Sequence, residues 1–153
     1  MEVLFKKLNF REQRKVLFAA APNSMAEAIA WMRSRAEVLI DDSKATDCDF
    51  AMGFATTQAG LDMLSQQLAS AVPDDGIIWI CYPKGSSKRY KCEFNRDTGW
   101  TVLGELGFEP VRQVAVDDDW SALRFRRVNY IKTLTRSKEM SLTEEAKRRT
   151  TGR

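Results

Sequence analysis

Histidine does not occur in the 153-residue chain. That removes the Ser-His and Cys-His nucleophile pairs and the zinc and haem sites that depend on an imidazole ligand. The three cysteines, Cys48, Cys81 and Cys92, make no CxxC pair of the metal-binding kind. Cys81 sits inside an apolar run, where a thiol behaves as a small buried hydrophobe. Long apolar stretches are missing as well: none approaches the roughly 20 residues that cross a bilayer. The first residues, MEVLFKKLNF, show no long apolar core followed by a small-residue cleavage site. We therefore expect no membrane span and no secretion signal, with the cytoplasm as the compartment.

Charge is unevenly placed. The net charge is +3, but residues 124–153 hold ten Lys or Arg against three Glu, which leaves the first 123 residues at −4. Basicity is a property of the C-terminal end, which argues against a nucleic-acid-binding face on the globular body. The length suits one domain with one core. The expected division is a single α/β domain over 1–130, with an N-terminal helix in 1–10, and a basic, partly helical tail over 131–153. In that tail Ser141 and Glu144 have capping-box spacing.

The stretch that organises the chain is GIIWICYPKG, residues 76–85. Seven consecutive uncharged residues, 77–83, read as a central strand buried on both faces. Before it come a short amphipathic helix (3–10), a strand (15–20), a helix (25–35) capped by Asn23 or Ser24, and a strand (37–40) running into Asp41 and Asp42. A third strand (49–55) and a helix started by Thr56, Thr57 or Gln58 follow, with Leu61, Leu64, Leu68 and Val72 at helical spacing up to Pro73. After the central strand, 84–97 is irregular and cationic. A helix then runs from Arg96 or Asp97 to Leu106, with Gly107 as a left-handed cap. Strands over 110–116 and 120–128 are separated by only three aspartates, too few for a crossover, so they form an antiparallel hairpin.

Alternating strands and helices imply a mostly parallel sheet with helices on both faces, here six strands in the order 2-1-3-4-6-5 with the last strand antiparallel. This three-layer Rossmann-like pattern resembles the class I methyltransferase fold with one strand-helix unit missing. The segments WICYPK and GFEPVRQVAVDDDWSALRF, with the early strand ending in Ala21-Pro22, are similar to a family of short bacterial proteins of uncharacterised activity. The methyltransferase resemblance implies a glycine-rich loop after strand one, which lets the backbone approach S-adenosylmethionine, and an acidic residue ending strand two to hold its ribose. Here the loop is Ala19-Ala20-Ala21-Pro22-Asn23-Ser24, without glycine and with a proline that removes an amide. Asp41 or Asp42 is the formal counterpart of the acid.

In open α/β sheets ligands bind beyond the carboxyl ends of the strands, where strand order reverses. The groups brought there are Asn23, Ser24, Thr56 and Thr57 at two helix starts, with Tyr82 and Lys84 from the central strand, an arrangement suited to an anion. Ser24 and Thr57 also read as simple caps. Pro22 and Trp120 are candidate lining residues, and Trp120 reads equally as core. Gly85-Ser86-Ser87-Lys88 lacks phosphate-loop spacing. Asp117, Asp118 and Asp119 read as a solvated turn, with no fourth hard ligand for a cation.

The expectation is a non-catalytic domain that binds a small anionic ligand or a protein partner on a degenerate methyltransferase-like scaffold. No cofactor or metal is expected. The alternative is a small-molecule enzyme, which would make S-adenosylmethionine its cofactor if it is a methyltransferase. A third reading is a nucleic-acid-associated module using the tail and the 84–91 loop.

Overall fold

The computed structural model describes residues 1–131. The tail beyond Ile131, with the helix expected from its capping-box spacing, lies outside the described residues. Six strands form one sheet in the order β2-β1-β3-β4-β6-β5. They are β1 (Lys15–Ala19), β2 (Glu37–Ile40), β3 (Phe50–Phe54), β4 (Ile77–Pro83), β5 (Phe108–Ala115) and β6 (Trp120–Arg127). The first four run parallel, β6 lies antiparallel to β4, and β5 closes the hairpin antiparallel to β6. This is the α/β, methyltransferase-like topology expected from the sequence.

All seven residues of β4 are buried, because helices cover both of its faces. One face packs Leu17, Ala51, Ile78, Ile80, Leu123 and Phe125 against helix α3 (Gln58–Ala71) and the short helix α4 (Thr101–Glu105). The other face packs Val16, Phe18, Phe50, Met52, Trp79 and Cys81 against helices α1 (Glu2–Lys7) and α2 (Ala26–Arg33). Trp79 explains why the N-terminal segment docks here: its indole N–H donates to the carbonyl of Leu8 at 2.8 Å.

Three local expectations need correction. Neither Asn23 nor Ser24 caps α2 by its side chain; a 3-10 turn, Asn23–Met25, leads into the helix instead, closed by the Met25 amide on the Pro22 carbonyl. The helix placed over 96–106 is only Thr101–Glu105. The Asn95 side chain accepts from the amides of Asp97 and Thr98, and that turn competes with the first helical turn. Helix α1 ends at Lys7 rather than at Phe10, and Asn9 follows at φ +65°. Thr57 does cap α3, its hydroxyl accepting from the Gly60 amide at 3.0 Å, and Gly107 does adopt a positive φ after α4.

Candidate functional site

The exit of β4 is held by the hairpin beside it. The Lys84 amide donates to the Asp119 carbonyl at 2.8 Å, and the Ser87 hydroxyl donates to the Asp119 carboxylate at 2.9 Å. Asp117 makes its own turn, accepting from the amides of Asp119 and Trp120 at 2.8 Å each. From there residues 84–99 cross back over the strand ends as a strap.

The strap is fastened at several points. The Glu93 amide donates to the Thr56 carbonyl and the Gln58 amide donates to the Glu93 carboxylate, both at 2.9 Å. The Gln58 side chain donates to the Gly99 carbonyl at 2.8 Å. Gly99 has φ +98°, and a Cβ there would stand 2.7 Å from Phe94 and 2.8 Å from the Gln58 oxygen, so the crossing requires glycine. Phe94 and Trp100 pack on the Tyr82 ring with centroids 5.9 and 5.7 Å away, and Tyr90 packs on Trp120 at 4.9 Å.

Between strap and strand ends lies a cavity of about 710 Å³ whose lining includes Tyr82, Lys84, Lys91, Cys92, Arg96 and Gln113. Glu93 is the one carboxylate among its lining residues, and it is turned onto the start of α3. Arg96 makes only a 3.9 Å exposed pair with Asp97, of the kind that contributes little. Lys84 and Lys91 have no acidic partner among the described residues. Burial pushes the Tyr82 hydroxyl above its ordinary range, against the opposing effect of Arg96, so it stays a phenol and accepts from Gln113 at 3.0 Å. Burial likewise pushes the Cys92 thiol up, which keeps it from being a ready nucleophile at neutral pH.

The sequence-derived candidates separate in space. Tyr82 and Lys84 line this cavity. Thr56 meets the strap through its carbonyl, and Thr57 is the cap of α3. Asn23 and Ser24 are exposed in the 3-10 turn that Pro22 precedes, and neither lines the 710 Å³ cavity. Trp120 is 3% exposed and belongs to the core against Phe54 and Tyr90. The sequence reading missed Glu93, Lys91, Arg96 and Gln113. The one available signal was that Glu93 is the sole acid between Lys84 and Arg96.

A second, smaller cleft of about 270 Å³ lies at the ends of β1, β2 and β3, lined by Ala19, Ala20, Asp41, Phe54 and Leu64 among others. Ala20 and Asp41 both have left-handed backbones, φ +56° and +50°, conformations that cost a non-glycine residue about 1–2 kcal/mol each. The Ala20 amide donates to the Asp41 carboxylate at 2.6 Å. The acid at the end of β2 is thus bound to the loop after β1.

No family model matches this chain, and no curated protein sequence does. Solved structures share its fold. A SAM-dependent methyltransferase from Aquifex aeolicus superposes with a TM-score of 0.55 at 14% identity, over 83% of this chain and 89% of that one. The N-methyltransferase NodS from Bradyrhizobium japonicum WM9, in complex with S-adenosyl-L-homocysteine, gives 0.54 at 12%, over 83% and 85%. A putative type 11 methyltransferase from Sulfolobus solfataricus gives 0.55 at 9%, over 89% and 94%. The likeness is one of fold.

Proposed function

We propose that the chain is a non-catalytic binding domain on a methyltransferase-like scaffold, taking a small anionic molecule with a planar part at the exit of β4. The observation that carries this reading is the 710 Å³ cavity, in which Lys84, Lys91 and Arg96 face a lining whose one carboxylate is already committed. Tyr82 and Phe94 supply an aromatic wall. Chemistry has little to work with there, since Tyr82 and Cys92 both keep their protons at neutral pH.

The test is a thermal-shift titration with adenosine monophosphate as probe. At about one hundred times its dissociation constant a ligand stabilises the fold by roughly 2.7 kcal/mol. For this size that is a rise of about 5–10 °C. Lys84→Ala and Arg96→Ala should each weaken the response. A flat titration, or one indifferent to both substitutions, overturns the reading.

The fold comparisons favour a second reading, an S-adenosylmethionine-dependent methyltransferase. Asp41, at the end of β2 and on the rim of the 270 Å³ cleft, is the residue that would hold the ribose of that cofactor on this reading. The loop facing it does not fit the methionine end: Ala20 carries a Cβ at a left-handed position and spends its amide on Asp41, and Pro22 has no amide. Calorimetry with S-adenosylhomocysteine decides. Binding that Asp41→Asn abolishes and Lys84→Ala leaves intact establishes this second reading; no heat on injection removes it.

A further inference from the structure

Across the β5–β6 hairpin, on the side of the sheet that α1 covers in part, three arginines stand together. Trp120 and Ala122 of β6 point into the core on that side, so Arg124 and Arg126 continue the same face by strand alternation. A register shift between Pro110 and Arg112 places Arg112 directly opposite Arg124. Without it Val111 would take that position. Bulges of this kind re-aim a side chain, and here the result is two like charges face to face, an arrangement that is unfavourable by itself.

The three guanidinium groups are not equally provided for. Arg126 makes a two-pronged pair with Asp75, at 3.0 and 2.7 Å. Among the described residues Arg124 donates only to the Asn9 amide oxygen, at 3.3 Å from its Nη1. Its Nε is enclosed and, among the described residues, has no partner. Arg112 is exposed and has no acidic partner among the described residues. Three guanidinium groups against two carboxylates, Asp75 and the buried Glu109 that stands opposite Arg126 in the register, still leave a surplus of positive charge. Burial, then Arg126, then Arg112 press the Arg124 guanidinium below its ordinary range, against the pull of Asp75. Asn9 is set in place by its left-handed backbone and by the Trp79 bond to neighbouring Leu8.

We propose that Arg112 and Arg124 together bind a tetrahedral oxyanion, a phosphate group in chemical class, against the α1 side of the hairpin. Paired guanidinium groups offer such an anion several donors in fixed planes, which lysines do not. The site is independent of the cavity at the exit of β4.

The experiment is a thermal-shift titration of the whole chain with inorganic phosphate, set against sodium chloride at matched ionic strength. Phosphate should raise the midpoint more than chloride does. Part of the excess should persist in Lys84→Ala, and adding Arg124→Gln or Arg112→Gln to that variant should each remove it. Arg112 is exposed, so its substitution leaves the fold intact even if that of Arg124 does not. Equal responses to phosphate and chloride would mean simple screening of arginine repulsion and would overturn the proposal. An excess lost in Lys84→Ala but kept in Arg112→Gln would overturn it as well, by assigning the phosphate to the other cavity.

Discussion

Replacing Glu93 by alanine should loosen the strap and lower the stability of the whole domain. Its carboxylate accepts the Gln58 amide at 2.9 Å, one of the orphan donors in the first turn of α3. A hydrogen bond to a charged group is worth about 1.5–3 kcal/mol, and an acid at a helix start adds about 0.3–1 kcal/mol. Because Glu93 is exposed, the low end applies, and we expect a loss of about 1.5 kcal/mol in urea unfolding. That corresponds to roughly 3–6 °C in the thermal midpoint. Glu93→Gln keeps the acceptor and loses only the charge, so its cost should be about 0.5 kcal/mol. Both substitutions should also tighten adenosine monophosphate binding by removing the one acid in the cavity lining. If Glu93→Ala unfolds within error of the wild type, the carboxylate does not secure the strap, and the assignment of this contact is wrong.

Three further outcomes are expected. Gly53→Ala would drive its new methyl into the Leu64 side chain, whose Cδ2 and Cγ lie 2.8 and 2.9 Å from the Cβ position; a loss of about 1–3 kcal/mol is expected, partly relieved by adding Leu64→Ala. Trp79→Phe leaves the Leu8 carbonyl unpaired, which should cost about 1–3 kcal/mol and speed amide exchange in α1. Burial raises the Cys81 thiol well above its ordinary range, so above about pH 8.5 the unfolded chain releases a proton that the folded one keeps. Stability should therefore be unaffected by this group below that pH and fall above it, by up to about 1.4 kcal/mol per pH unit. Cys81→Ala should flatten the alkaline limb by that amount.

The strand order was legible because its signals are local and strong. The uncharged run 77–83 is short, rich in isoleucine and bounded by Gly76 and Pro83, which favours a doubly covered strand, and three aspartates cannot bridge parallel neighbours. Thr57 and the Leu61, Leu64, Leu68 spacing defined α3 for the same reason. The helix before Gly107 was misjudged because Asn95 captures two amides by its side chain, which a periodicity argument does not weigh. At the candidate site, Tyr82 and Lys84 were legible from their position after a buried strand. Glu93 was not, since its partner is 35 residues earlier and the contact depends on how the strap crosses. The Arg112–Arg124 pairing was equally hidden, because it exists only through an irregularity in register.

The central claim is that the ligand of this domain sits at the exit of β4 rather than in the cleft at the ends of β1 and β2. The direct measurement is an amide chemical-shift map of the labelled protein titrated with adenosine monophosphate. Our account predicts saturable shifts at Tyr82, Lys84, Lys91 and Arg96, with Ala20 and Asp41 unmoved. Shifts centred on Ala20, Asp41 and Leu64, with the Lys84 region silent, would contradict it.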